Sequence, residues 1–317
     1  MISAGNTTQT SSIRHLATVF YKKTSLDNLW KMLRFESAAM PDILPERSGK
    51  TIQFFRYSTL SANTSPSSEA VAGAGIQMDS NTISATVSEY SDHMTGSKML
   101  QKTAIDPIAD NFAKHLGYRA GLSRDTVCRI ELDSAATNSG VQVNTAGAAG
   151  SSTDLRRAKF LLEGLDVLPR IDQDFMCLIH PYALYDVMSS DDFVDVVKYA
   201  NPQTFIQGEI GKVEGCRLLK TTNVGTDGTA APLTKYYTYV IGEGAFGAVT
   251  LAGSPGAAPV DPSKSMYQVN VVPGKISEAN PEGKIGFLVS YWMAFVAKIL
   301  DSTTYRYRII QMDASII

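Results

Sequence analysis

The chain has 317 residues, 44% hydrophobic and 19% charged, which is enough apolar mass for two domain-sized cores. A net charge of −2 with scattered lysines and arginines argues against a protein that grips nucleic acid by its phosphates, so any DNA contact is expected to be weak and non-specific. The polar start "MISAGNTTQTSS" lacks the basic and apolar regions of a signal peptide, and the longest apolar run, "IGFLVSYWMAFVAKIL", is short for a membrane span and contains Lys298; a protein made in the cytoplasm, with no membrane role, is expected.

Residues 1 to about 45 read as an arm. An amphipathic piece, "LATVFYKKTSLDNLWKML", follows the polar start, and Pro41 and Pro45 then interrupt any helix. "KTIQFFRYSTL" (50–60) and "NTISATVSEYSDHM" (81–94) are rich in β-branched and aromatic residues and predict strands. The intervening Ser, Ala, Gly and Asn residues make them a long hairpin with a polar tip, whose charges are Glu69 and Asp79. An isolated two-stranded hairpin is marginal in water, so an extended one implies support from outside.

Residues 105–135 predict a long helix. Asp106 is a good N-cap, Pro107 suits the first helical position, and Asp110 suits the dipole. Ile105, Ile108, Phe112, Leu116, Ala120, Val127 and Ile130 recur at helical spacing, with Asp110, Lys114, Arg124 and Arg129 off that stripe. A Gly/Ala/Ser linker (138–153) follows. Then "DLRRAKFLLEGLD" predicts a helix, "DFMCLIHP" a buried strand, "PYALYDVMSS" a helix opened by Pro181, and "GEIGKVEGCRLLKTTNV" further extended structure, an α/β order. "KIGFLVSYWMAFVAKIL" and "TTYRYRIIQM" close the chain as strands, the first apolar on both faces and so expected to be buried.

Three motifs suggest chemistry. "YVIGEGAFGAV" carries Gly242, Gly244, Gly247 and Val249 in the G-x-G-x-x-G-x-V spacing of a phosphate-covering loop. A kinase would also need H-R-D and D-F-G, and neither occurs. A dinucleotide site would need a helix after the glycines, where "AVTLAGSPGAAP" instead reads as a strand. The expectation is a structural strand with glycines for close packing. His180, with Tyr182, Tyr185 and Asp186, sits where a strand ends and a helix begins, a place where catalytic groups occur; turn formation and packing explain it without catalysis. Asp191, Asp192 and Asp195 read as a solvated surface rather than a Ca²⁺ loop. Cys128, Cys177 and Cys216 lie far apart among apolar residues and are expected to be buried thiols; His15, His93, His115 and His180 form no metal-binding pair. No cofactor or metal is expected.

From about residue 45 to the end, the sequence resembles the major capsid proteins of N-four-like tailed phages, a family with the Hong Kong 97-type capsid fold. The similar blocks are "SGKTIQFFRYSTL", "DLRRAKFLLEG", "IHPYALYDV", "KYANPQTFIQGEIGKVEGCRLLKT" and "NPEGKIGFLVSYWMAFVAKIL", in the family's order. The run from Lys198 to Thr221 is the most specific. Phe287 stands where the family often has Trp, and the first 40 residues match less well.

The resemblance implies an α+β fold of Hong Kong 97-like type. It implies an N-terminal arm (1–45), an extended β-hairpin loop (46–98), a peripheral domain with the spine helix (99–149), an α/β axial domain (150–283) and C-terminal strands returning to the peripheral domain (284–317). The implied function is structural: a subunit that self-assembles into pentamers and hexamers of an icosahedral virion shell around double-stranded DNA, not an enzyme. Its partners would be copies of itself, with portal, scaffold and minor cement proteins as further candidates. The arm and the hairpin would each reach a neighbour. Expected inter-subunit contacts are Phe20, Trp30 and Phe35 on the arm, and Phe54, Arg56, Tyr57 and Glu69 on the loop. Two other readings are an α/β enzyme using His180 and Asp186, and a tail-tube or adhesin-like protein, which should be nearly all β and lack the long helix.

Overall fold

The structure is a computed structural model that describes residues 31, 33–45, 47–58, 60–64, 66, 75–104, 108–139, 142–144, 152–171, 173–188, 194–195, 209–226, 235–251, 269–276, 280–300 and 308–315. Among these residues, two sheets and one long helix carry the architecture. The chain begins with a 3₁₀ turn at Glu36–Ala38 and a strand, β1 (Met40–Leu44). The hairpin follows as β2 (Thr51–Tyr57) and β3 (Ser80–Thr86), with Phe54 opposite Ile83 and Phe55 opposite Thr82.

The single strand expected over 81–94 is two. Val87 is the pivot, its N–H held by Lys50 O at 2.8 Å. Beyond it, β4 (Ser88–Ser97) leaves the hairpin and pairs along β13 (Ile285–Ile299). One extended stretch thus serves two sheets.

A short helix, α1 (Lys98–Thr103), follows, capped by Ser97 Oγ accepting from Leu100 N. The spine helix, α2 (Ile108–Ser139), is 32 residues long, or about 48 Å at 1.5 Å per residue. The expected Asp106 cap and Pro107 lie outside the described residues.

The five-stranded sheet has β13 at its centre. β4 lies along one side; β12 (Val269–Pro273) and β11 (Phe246–Leu251) lie along the other; and β1 pairs in parallel outside β11. One face of β13 offers Phe287, Val289, Tyr291 and Met293 to Leu116, Ala120 and Phe112 of α2. On the opposite face, Ala294 and Val249 pack with Leu44, Val87, Ile52 and Phe54 at the root of the hairpin. This is why a 15-residue strand is apolar on both sides.

The other sheet has seven strands: β5 (Gln142–Asn144), β14 (Ile309–Ser315), β10 (Lys235–Ile241), β6 (Phe175–Ile179), β9 (Cys216–Lys220), β8 (Glu209–Val213) and β7 (Val194–Asp195), in that spatial order. β6 alternates perfectly. Phe175, Cys177 and Ile179 face α3 (Ser152–Gly164) and α4 (Pro181–Met188). Met176 and Leu178 face α2, meeting Cys128 and Leu132 in a core that also takes in Phe246, Phe295 and Ile299 of the other sheet. Each such side chain contributes roughly 1.5–3 kcal/mol on burial, so this shared core binds the two sheets into one body. All three cysteines are buried thiols.

Three expectations are corrected here. The two closing strands do not stay together: β13 is in the five-stranded sheet, whereas β14 pairs with β10 and β5 in the seven-stranded one. Conversely, β11 and β12, expected within the α/β part, belong to the five-stranded sheet. On α2, Ile130 is 55% exposed, while Arg124 is 3% exposed. The helix is covered on more than one side, and Arg124 is enclosed by Glu36, Thr250 and the ring of Phe295, 4.5 Å from its guanidinium carbon.

Candidate assembly surface

The hairpin shows what the subunit offers outward. Strand alternation sends Ile52 and Phe54 down onto the five-stranded sheet and Gln53, Phe55 and Tyr57 up. Phe55 is 68% exposed and Tyr57 59%, and their rings meet edge to face at 6.0 Å. Exposed Leu60 continues the patch beyond the strand. Two large aromatics side by side, left uncovered by the described residues, form an apolar patch of the kind that marks interaction surfaces.

Beside the hairpin runs a groove of about 180 Å³ between Phe54, Phe55, Arg56, Asn81 and Ile83 on one side and Met40 and Leu300 on the other. It opens into a broader depression of about 590 Å³ shared by Met40, Arg56, Leu168, Arg170, Glu243 and Arg308. Met40 and Leu168 are exposed. Two of the depression's guanidinium groups are already engaged, Arg170 by carbonyls of residues 37–39 and Arg308 by the carbonyl of Glu243.

Of the residues expected to make contacts, Phe54 and Arg56 are half-buried beside this groove and Tyr57 is exposed at the strand end. Phe20, Trp30 and Glu69 lie outside the described residues. Phe35 is placed differently from the expectation. It is fully buried in the subunit's own core, its ring edge-on to Tyr239 at 5.3 Å. The turn it begins is clamped at both ends. Asp125 of α2 accepts from Phe35 N (2.7 Å) and Glu36 N (3.4 Å), and Arg170 donates to the carbonyls of Ser37, Ala38 and Ala39. Burial pushes the Asp125 carboxyl up from the usual range, while hydrogen bonds from Asn223, Phe35 and Glu36 pull it back. Sequence reasoning missed both clamp residues, because nothing local to Asp125 or Arg170 points to a partner some hundred residues away.

The glycine motif is accounted for by packing. Gly242–Ala245 is where the chain crosses from β10 in one sheet to β11 in the other. Gly242 N donates to Arg308 O and Glu243 N to Leu168 O, both at 2.9 Å, so these amides are occupied by protein carbonyls and do not cradle a phosphate. A Cβ on Gly242 would lie 2.3 Å from Val167 Cγ1, and Gly244 has φ +63°. These positions demand glycine for structural reasons.

His180 is also committed. Its imidazole stacks on Tyr236 (4.0 Å, 12°), and its Nδ1 accepts from Tyr182 N at 3.3 Å. Burial lowers its pKa from 6.5 to about 4, far from the value of an efficient base near neutrality. The Asp186 side chain is outside the described residues. Among the described residues, no cluster of His, Cys, Asp or Glu could hold a metal ion, and no helix is long and apolar enough to cross a membrane.

No family model matches the chain, and no curated protein sequence does. The fold, however, has solved counterparts. The capsid structure of the cyanophage P-SCSP1u superposes with a TM-score of 0.68 at 16% identity, covering 99% of this chain and 97% of that one. The capsid of Ralstonia phage GP4 gives 0.70 at 13%, covering 95% and 96%. The cyanophage Pam1 capsid gives 0.66 at 11%, covering 99% of both. The chain has the Hong Kong 97-type capsid fold. The long helix excludes the nearly all-β tail-tube architecture. Among the described residues, the exposed face of the β2–β3 hairpin and the depression beside it are surfaces left open after the chain has closed its own cores.

Proposed function

We propose that this chain is the structural subunit of a tailed-phage capsid, a protein that self-assembles into the pentamers and hexamers of an icosahedral shell enclosing double-stranded DNA. The observation that carries the reading is coverage: phage capsid subunits match this chain end to end, with almost nothing left over on either side. The exposed Phe55–Tyr57 pair supports it, because a lone subunit gains nothing from that patch.

In this reading the seven-stranded sheet with α3 and α4 is the axial domain that gathers around symmetry axes. The five-stranded sheet and α2 form the peripheral domain, and β2–β3 is the extended loop laid over a neighbour. Phe54, Arg56, Tyr57 and Glu69 are its contact residues. Assembly repeats one modest interface many times until a closed shell forms. A net charge of −2 suits a wall that must not hold its DNA tightly. Portal, scaffold and cement proteins are partners of the same kind of shell, and the subunit would be made in the bacterial cytoplasm before it joins the virion.

The test is direct. Purified protein is concentrated, or co-expressed with candidate scaffold chains, and examined by sedimentation and negative-stain electron microscopy. Shells or rings of five- and six-fold symmetry are expected. A small discrete oligomer under every condition would refute the proposal.

A further inference from the structure

Lys31 brings an amine to a buried amide. Its Nζ donates to Asn223 Oδ1 at 3.4 Å, joining the chain before the 3₁₀ turn to the chain after β9. The main chain is anchored at the same point, because Lys31 N donates to Tyr118 Oη of α2 at 2.6 Å. The nitrogen of the same amide meets an acid: Asn223 Nδ2 donates to Asp125 Oδ2 at 2.8 Å and to Thr126 Oγ1 at 3.3 Å. These partners fix the amide's orientation, carbonyl oxygen toward the cation and nitrogen toward the carboxyl. Asn223 and Asp125 are each 1% exposed, whereas Lys31 reaches in from an exposed position.

An amine, a carboxamide and an acid in this sequence are the parts of an acyl transfer. Cγ of Asn223 lies one C=O bond, about 1.2 Å, from the oxygen that Lys31 already contacts. A rotation of the flexible lysine stem, without movement of the fold, brings Nζ to the distance of about 3–3.5 Å from which attack begins. Asp125 Oδ1 is held by Phe35 N and Glu36 N, so Oδ2 stays aimed at the amide nitrogen. Burial raises the Asp125 carboxyl from the usual range, against hydrogen bonds from Asn223, Phe35 and Glu36, and so moves it toward the values useful in proton transfer near neutrality.

We propose that Lys31 and Asn223 join in an intramolecular isopeptide bond, with Asp125 as the catalytic proton carrier. Neutral Nζ attacks Cγ of Asn223 and forms the new C–N bond. The Asp125 carboxylate takes a proton from Nζ and delivers one to Nδ2; the Cγ–Nδ2 bond breaks and ammonia leaves. Amine and carboxamide become a secondary amide and ammonia, no oxidant or other reactant is consumed, and Asp125 returns to carboxylate. An ammonium has no lone pair to attack with, so raising the pH favours linking. The bond fastens covalently a segment that the clamp on the 3₁₀ turn holds by hydrogen bonds. The proposal concerns the single chain and does not depend on the shell reading.

The experiment reads the intact mass of full-length protein, freshly purified and after incubation at pH 9. Expected is a chain lighter by one ammonia. Its tryptic digest should contain a branched peptide joining residues 24–34 to residues 221–235, because acylated Lys31 is no longer cut. Lys31→Arg, at an exposed position, should fold and keep its full mass. Asp125→Asn preserves the shape of the side chain but cannot carry the proton. It should link at least about 100-fold more slowly, the usual weight of a positioned proton carrier, while circular dichroism shows it folded. The wild-type mass and the Lys31→Arg control decide the bond whatever the fold of Asp125→Asn. Full mass in the incubated wild type would overturn the proposal. So would a link found only at dimer mass, which puts the amine on a neighbouring copy, or Asn223 converted to aspartate, which makes water the nucleophile. Linking of folded Asp125→Asn at the wild-type rate would remove Asp125 from the step.

Discussion

The carboxylate of Asp125 takes the backbone N–H of Phe35 at 2.7 Å across 90 residues of sequence. It also accepts from Asn223 Nδ2 at 2.8 Å, so one side chain on α2 ties down both the 3₁₀ turn and the chain after β9. Removing it strands buried donors. We expect Asp125→Ala to cost about 3 kcal/mol in urea unfolding, because hydrogen bonds to a charged group contribute about 1.5–3 kcal/mol and a buried unmet donor adds to the loss. Arg170→Ala, at the more open end of the same turn, should cost less, about 1–2 kcal/mol. A reversed order would show that the clamp is anchored on the other side.

The face of α2 against β13 should not tolerate charge. Leu116 is 1% exposed and packs on the Phe287 side of the strand. Leu116→Asp should yield insoluble protein, since an unpaired buried charge costs on the order of 3 kcal/mol or more. Phe112→Asp should be milder, because half-buried Phe112 lines an open groove between α1 and α2 with Leu100, Ile108 and His115, 5.6 Å from the Phe287 ring, and a carboxylate there can reach water. Exposed Lys114→Ala should change soluble yield little. Yields on expression decide the ranking.

At the crossing between the sheets, Gly242→Ala should be severe, since the new methyl group meets Val167 and the carbonyl of Leu168. Gly244→Ala should lose about 1–2 kcal/mol for its left-handed backbone. Neither should alter nucleotide affinity. Calorimetric titration of the folded wild type with ATP should give no heat of specific binding.

His180 predicts an acid-sensitive increment of stability. Its folded pKa, about 4, lies below the unfolded 6.5. The unfolded chain therefore binds the extra proton between these values, and stability present above pH 6.5 is lost as pH falls toward 4. The increment is up to about 3 kcal/mol at 1.36 kcal/mol per pKa unit. His180→Asn keeps an acceptor ahead of α4 but does not titrate. Its stability should fall less between pH 7.5 and 4.5 than that of the wild type, as read by paired urea melts.

The hairpin face separates folding from assembly. Phe55→Ser with Tyr57→Ser should move subunit stability by no more than about 0.5 kcal/mol, because both side chains are exposed. The same pair should sharply reduce shell yield in sedimentation. Deletion of 62–78 should likewise leave a folded, poorly assembling subunit. Normal shells from either variant would remove the hairpin from the interface.

Much of this was legible from residue pattern alone. The double-faced apolar run of β13, the presence of the long helix α2, the hairpin, and the helix–strand–helix run of α3, β6 and α4 all follow from local periodicity. Pairing across distance was not legible. Pro41 reads as a breaker, yet β1 is a strand, because an edge position leaves the missing N–H without consequence. "NTISATVSEYSDHM" carries no mark of the pivot at Val87. The strand after residue 308 carries no mark of its sheet, since Ile309, Ile310 and Met312 would be buried on both faces inside either sheet. Arg124 reads as a solvent residue until residues 35–39 and β13 close over it.

The chain passes between the two sheets three times, from β4 to β5 by way of α1 and α2, from β10 to β11 and from β13 to β14, so no contiguous stretch of sequence encodes either sheet. The hydrogen bond from Gly242 N to Arg308 O extends the β10–β14 ladder to the point where one passage leaves the seven-stranded sheet and another rejoins it. A pull that separates the sheets therefore bears on three covalent links at once. The joint behaves as a triple strap rather than a single tether.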